Sequence, residues 1–279
     1  MNFSRAASSC LIVATLLTAG TAGAEDRRAE ALAIGDSLAF GYITQAGHEY
    51  VNAANFLGYP EHLANMTELH VVNASCPGEA TTSFLSATGT DNGCRSFRNF
   101  PFPLHVAYSG TQLDFAKQFL THHHDVRLVT VSLGANDAFI YERGCKLDPV
   151  CIQHGLQAFL GSLAANMGTI FADLRGTGFG GTIIVVNYYS LDYSDATQTG
   201  LTALLNRAIS AYASAYGAVV ADAFTAFQKA AAPAGGKTCN AGLLNVNPGN
   251  QQLCDDHPSQ SGSRLIARTV AATYARSDD

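Results

Sequence analysis

Five stretches of the chain are nearly unbroken runs of apolar, often β-branched residues: Ala31–Ile34, Leu69–Ala74, Val126–Leu133, Thr182–Tyr189 and Ala218–Ala221. A strand covered on both faces has no solvent side and loses the alternation of polar and apolar positions, so these runs predict the strands of a buried sheet. Between them the period changes to 3.6 residues. Leu156, Phe159, Leu160, Leu163, Met167, Ile170, Phe171 and Leu174 share one helical stripe that stops at Gly176. Leu201, Leu204, Leu205, Ala208, Ile209, Tyr212 and Tyr216 form a second, stopped by Gly217, which suits a left-handed helix cap. A last helix is expected after Ser259, with Leu265, Ile266 and Val270 facing inward. Strands alternating with helices predict an α/β fold, a central parallel five-stranded sheet in a three-layer α/β/α sandwich. No repeat, linker or low-complexity block divides it, and ligands on such sheets bind beyond the carboxyl ends of the strands.

The first 24 residues stand outside that pattern. Arg5, an apolar run from Cys10 to Leu17 and the small residues Ala22-Gly23-Ala24 have the order of a cleaved secretory leader. The run is too short for a bilayer span, which needs about 20 apolar residues. The expected organisation is a signal peptide over 1–24 and one domain over 25–279, exported and without a transmembrane segment. Loss of the leader removes one of 16 basic residues and none of 22 acidic ones, so the formal charge moves from −6 to −7. An acidic chain without basic runs argues against nucleic acid as a partner and against an electrostatic hold on anionic membrane.

Cysteine usage agrees with export. Cys10 leaves with the leader, and Cys76, Cys94, Cys145, Cys151, Cys239 and Cys254 remain. An even set in an oxidising compartment points to disulfides, and of the fifteen possible connectivities sequential pairing (76–94, 145–151, 239–254) is favoured because it closes three short loops. Metal binding is the rival, but no C-x-x-C pair or Cys/His quartet supports it.

Candidate chemistry sits at the predicted strand ends. The first strand runs into Gly35-Asp36-Ser37-Leu38, the second into Asn73-Ala74-Ser75-Cys76-Pro77-Gly78-Glu79 and the third into Gly134-Ala135-Asn136-Asp137. Asp255-Asp256-His257-Pro258-Ser259 precedes the last helix. A serine hydroxyl is a weak nucleophile that needs a base, usually histidine. The oxyanion it creates needs fixed donors, which a glycine N–H and an asparagine amide can supply.

These blocks, spread from Gly35 to Ser259 with Ile34 before the first and Ala39-Phe40-Gly41-Tyr42 after it, resemble the SGNH (GDSL-type) hydrolase family. The cysteine-rich, leader-bearing chain is most similar to its secreted three-disulfide lipases and esterases. The resemblance implies a flavodoxin-like strand order 2-1-3-4-5, Ser37 as nucleophile and His257 as base. It also implies an oxyanion hole of the Ser37 N–H, the Gly78 N–H and the Asn136 side chain. Many members carry an aspartate three residues before the histidine, where this chain has Cys254. Asp255 and Asp256 are closer in sequence and either can reach the ring; the third catalytic member is taken as Asp255, through its carboxylate or its backbone carbonyl, with the Asp256 carboxylate as the alternative.

Other features read as structure. His122-His123-His124-Asp125 looks like a metal tract, but consecutive side chains do not converge on one point. Asn65-Met66-Thr67 and Asn73-Ala74-Ser75 fit the glycosylation sequon. Phe97, Phe100, Phe102, Tyr108, Tyr188, Tyr189 and Tyr193 either line an acyl groove or pack the core. The expected protein is a monomeric serine ester hydrolase that needs no metal or organic cofactor and takes a small-molecule or lipid ester. A polysaccharide deacetylase on the same machinery and a non-catalytic binding module on the same fold are the alternatives.

Overall fold

The computed structural model describes residues 28–44, 52–99, 103–247 and 249–277. The expected leader, Phe100 and Phe102 lie outside them.

The five apolar runs become β1 (Glu30–Gly35), β2 (His70–Asn73), β3 (Val126–Ser132), β4 (Thr182–Val186) and β5 (Ala218–Ala221). They form one sheet in the order β2-β1-β3-β4-β5 with every pairing parallel. Leu32, Ile34, Leu128, Val129, Val131, Ile183, Ile184 and Val185 are fully buried, as strands between two helical layers require. One layer holds α2 (Tyr59–Ala64) and α10 (Gln260–Ser277), with α9 (Ala223–Ala231) packed on α10; the other holds α3 (Thr81–Leu85), α5 (Gln112–His122), α7 (Pro149–Gly176) and α8 (Ala196–Ser210). The chain leaves β1 to one side and β3 to the other, which opens a crevice at the carboxyl ends of these neighbours.

The long helix α7 has two different halves. Asp148 caps it by accepting the Val150 N–H at 3.0 Å, and Pro149 fills its first position. From Leu163 onward its stripe (Met167, Ile170, Phe171, Leu174) is buried on the sheet. Leu156, Phe159 and Leu160 on the same stripe are only half-buried, because the amino-terminal half runs past the sheet and over the crevice.

Two expectations are corrected and one element is new. β4 stops at Val186 rather than Tyr189. There Asn187 turns aside to bond Asp222 Oδ1 (3.0 Å) and the Phe224 N–H (2.9 Å), and the Asn206 amide takes both backbone groups of Tyr188 (2.8 and 2.7 Å). The stripe from Leu201 to Tyr216 is not one helix: α8 ends at Ser210, and a 3-10 turn over Ser214–Tyr216 leads to Gly217 at φ 62°. The Asn- and Gly-rich segment before His257 has regular structure. β6 (Leu244–Asn247) and β7 (Asn250–Pro258) pair antiparallel. All three disulfides follow the sequential pairing, Cys76–Cys94, Cys145–Cys151 and Cys239–Cys254.

Candidate active site

Ser37 stands at the first position of the short helix α1 (Ser37–Phe40), directly beyond β1. Gly35 makes that approach possible. Its φ is 151°, and a Cβ there would lie 2.3 Å from Ser132 Oγ and 2.4 Å from Ser132 O. The Gln112 amide clamps the same residue, accepting from its N–H (2.6 Å) and donating to its carbonyl (3.0 Å). Asp36 caps α1 through the Leu38 N–H (2.9 Å) and accepts the Tyr188 hydroxyl (2.5 Å). Burial of Asp36 pushes its carboxyl up to about 6, against the pull of those two bonds. At the first helical residue the Ser37 N–H has no intrahelical acceptor.

Gly78 follows β2 at φ 84°, and a Cβ there would meet Asn92 O at 2.5 Å, so backbone alone fits. Asn136 is buried in the first turn of α6 (Ala135–Gly144). Its Oδ1 accepts from Asn92 Nδ2 (2.6 Å) and its Nδ2 donates to Glu79 O (2.9 Å). An amide nitrogen carries two hydrogens, so these bonds fix the side chain and leave one N–H for another acceptor. Asp137 accepts from both the N–H and hydroxyl of Thr81 and so ties α6 to the segment after Gly78. Glu79 accepts from Ser83 Oγ and from Gln112 Nε2 (3.1 Å), and burial pushes its carboxyl up to about 7.

His257 lies near the end of β7, held from several sides. The Tyr189 hydroxyl, on a ring stacked against Phe227, donates to Asp256 O at 2.6 Å. Tyr42 presents its ring to the imidazole with centroids 5.0 Å apart. His257 Nδ1 lies 3.1 Å from Asp256 Oδ1, 3.7 Å from Asp255 Oδ2 and 3.5 Å from Thr44 Oγ1, which leaves Nε2 for another partner. Asp255 also accepts the His257 N–H at 2.9 Å and the Thr44 N–H at 3.4 Å. Of the two carboxylates that the sequence leaves open for orienting the ring, the half-exposed Asp256 is the nearer. Burial disfavours the imidazolium, but the carboxylates of Asp255 and Asp256 outweigh it and push the ring up to about 9.

Two cavities meet at these residues. One, about 340 Å³, is lined by Ser37, Asn136 and His257 at one end and by Leu38, Phe139, Ile152, Leu156, Phe159, Leu160, Leu201 and Leu205 beyond. The other, about 630 Å³, is bounded by Ser37, Gly78, Asn136 and His257 together with Tyr42, Phe97, Asn92 and Arg143. The fold thus brings the four sequence-predicted groups to one place. Asp255 stands behind His257 and lines neither cavity.

The remaining features separate. Tyr188 and Tyr189 line the first cavity and Phe97 the second, whereas Tyr108 packs on Phe115 and Tyr193 on Phe224. His123 Nδ1 is 2.7 Å from Glu30 Oε2 and His122 bonds Gln118 O, so the histidine tract lies at the amino ends of the strands. Asn73 is buried, donating to Ala39 O and Glu61 Oε1. Asp255, Asp256 and His257 are close enough to share an ion, but Asp255 is already engaged by two backbone N–H groups. Sequence reasoning missed Gln112, Asn92, Thr44 and the support given by Glu79. Gln112, Asn92 and Thr44 are single polar residues with no motif around them, and Glu79 closes a motif whose glycine takes the attention.

Residues 33–265 match the GDSL-like Lipase/Acylhydrolase family. No curated protein matches the chain. Similar solved structures include a phospholipase A1 from Streptomyces albidoflavus, at 19% identity and a TM-score of 0.55, covering 88% of this chain and 98% of that one. A member of the lipolytic protein G-D-S-L family from Veillonella parvula is 14% identical with a TM-score of 0.52, over 88% of this chain and 98% of that one. An acetyl xylan esterase from Geobacillus stearothermophilus is 14% identical with a TM-score of 0.51, over 89% and 93%. At these identities the likeness is one of fold.

Proposed function

The chain belongs to the GDSL-like lipase/acylhydrolase family and is a carboxylic ester hydrolase; we propose that it is secreted and cleaves lipid or simple acyl esters through an acyl-Ser37 intermediate. Membership decides against the non-catalytic binding module. In this reading Ser37 Oγ attacks the acyl carbon while its proton passes to His257 Nε2. The oxyanion takes hydrogen bonds from the Ser37 N–H, the Gly78 N–H and the second N–H of Asn136 Nδ2. The imidazolium gives the proton to the leaving alkoxide oxygen as the C–O bond breaks, and the alcohol departs. Water then attacks the acyl-serine with the same base, releasing the acid and restoring the Ser37 hydroxyl. Asp255 and Asp256, both within 4 Å of Nδ1, hold the ring in the tautomer this needs.

The observation that carries the acyl reading is the apolar cavity that begins at Ser37 and runs beneath α7. An acetyl group would leave that space empty, which favours longer acyl chains over polysaccharide deacetylation. The expected leader and three disulfides support export, and among the described residues no helix is long and apolar enough to cross a membrane. The test is a p-nitrophenyl ester series from acetate to palmitate beside acetylated xylan, with fluorophosphonate labelling. Label should fall on Ser37, rates should peak above acetate, and Ser37→Ala should lose both label and turnover. Preference for acetate and xylan would move the assignment to the deacetylase, and turnover in folded Ser37→Ala would end the mechanism.

A further inference from the structure

The corner between α6 and α7 carries a backbone that its residues do not favour. Lys146 (φ 52°) and Leu147 (φ 61°) both adopt the left-handed conformation, the sole non-glycine residues with positive φ among those described. A side chain there crowds the following carbonyl, so glycine or asparagine usually takes such positions at a helix end. The bonds Lys146 N–H to Arg143 O (2.9 Å), Leu147 N–H to Glu142 O (3.0 Å) and Asp148 N–H to Cys145 O (2.9 Å) impose the shape, and the Cys145–Cys151 disulfide closes it. No packing explains the choice of leucine: Leu147 is 66% exposed and Val150 61%, the most exposed large apolar side chains described. A strained position spent on a side chain held in water points to a role outside the fold.

From this corner the apolar character continues inward. Phe139 on α6 and Ile152 and Leu156 on α7 line the cavity that starts at Ser37, and the exposed Leu201 stands at the same cavity. We propose that the α6–α7 corner docks on the surface of a phospholipid aggregate, so that an ester chain leaving that surface passes along α7 to Ser37. The proposal rests on the lipid-ester reading. Two apolar tips are too small an area for a stable protein partner, which needs on the order of 1,000 Å². They suit a transient contact with a lipid surface, which accepts isolated apolar side chains flanked by cations. Lys146 stands next to Leu147, exposed and matching phosphate headgroups, while Arg143 is turned away to donate to Asn92 Oδ1 and the Asp148 carboxylate onto the Val150 N–H.

The sequence contains no tryptophan, so one placed at the corner reports alone. In the Ser37→Ala background, Leu147→Trp should shift its emission to the blue on adding vesicles of diether phosphatidylcholine. Val219→Trp, at the amino end of the sheet, should not. Leu147→Asn/Val150→Asn should lower the ratio of emulsified triacylglycerol turnover to monomeric p-nitrophenyl butyrate turnover by at least about tenfold. Its Tm should hold or rise, because asparagine accepts the left-handed conformation. No blue shift, equal shifts at both positions, or an unchanged ratio would overturn the docking surface. Failure of the lipid-ester reading would look different: Ser37-dependent turnover confined to acetate esters and acetylated xylan, with the vesicle-induced shift intact.

Discussion

At neutral pH most of the His257 imidazole is protonated, because Asp255 and Asp256 raise it to about 9. A general base must be neutral, so kcat/KM should climb with pH: a pKa of 9 leaves about 1% neutral at pH 7 and about 50% at pH 9, roughly a fiftyfold rise. The perturbation that isolates the cause is Asp255→Asn/Asp256→Asn. With both charges gone only burial remains, and burial alone lowers a histidine, so the limb should fall to 6.5 or below. The plateau should fall as well, since the ring loses its orienting partners. Each single variant apportions the effect, and the larger loss identifies the carboxylate that orients the ring. The assay is kcat/KM on monomeric p-nitrophenyl butyrate from pH 5.5 to 10.5, corrected for spontaneous hydrolysis. A wild-type limb near 6.5, or one that stays near 9 in the double variant, would refute the reasoning. The sign for stability is opposite. A group raised on folding stabilises fully below its unfolded value of 6.5 and loses that contribution as pH rises through about 9, roughly 3 kcal/mol for this shift. Activity should therefore rise where this contribution to stability fades.

Asn136→Ala should lower kcat by roughly 10²–10³ with a smaller change in KM, because its donor acts on the transition state; a rise in KM alone would make it a substrate-binding residue. Glu79 is raised from 4.5 to about 7 by burial, so its native form favours the proton and wild-type stability should fall as pH rises from about 4.5 through 7. Glu79→Gln, which imitates the protonated acid, should raise Tm at pH 8.5 and change it little at pH 4, and denaturation scans at both would show whether the sign holds. Cys239→Ser/Cys254→Ser removes a link 15 residues apart in sequence, worth roughly 3 kcal/mol of stability. It should also lower kcat well below its melting temperature, because Cys254 is three residues from His257 in β7; full activity in the folded variant would confine the bond to stability.

Much of this was legible because the signals repeat. Fully buried parallel strands must be continuously apolar, and the long helix repeats its stripe over eight positions, so β1 to β5 and α7 declare themselves. The catalytic candidates were legible for another reason: Gly35, Gly78 and Gly134 mark close backbone approaches and stand beside residues with reactive or donor groups. What escaped lacks repetition. The β6–β7 hairpin pairs Leu244 with Pro258 and Val246 with Cys254, too few apolar positions among Asn, Gln and Asp to repeat a pattern. Gln112 reaches Gly35 across 77 positions of sequence, and Asn92 reaches Asn136 across 44. The choice between Asp255 and Asp256 stays open in the sequence, because it depends on how distant groups, the Tyr189 hydroxyl on the Asp256 carbonyl and the Thr44 N–H on Asp255, hold the strand.

The two halves of α7 separate what natural variation can alter cheaply from what it cannot. Leu163 to Leu174 are a fixed footing, where a smaller side chain would open a hole in the sheet packing. Leu156, Phe159 and Leu160 are half-buried at the cavity, where a bulkier or smaller residue alters its length. The helix is in effect a ruler clamped at one end. If acyl chains fill that cavity, variants at those three positions are the ones to shift chain-length preference, Leu156 at the least cost because Phe159 and Leu160 also pack against the core.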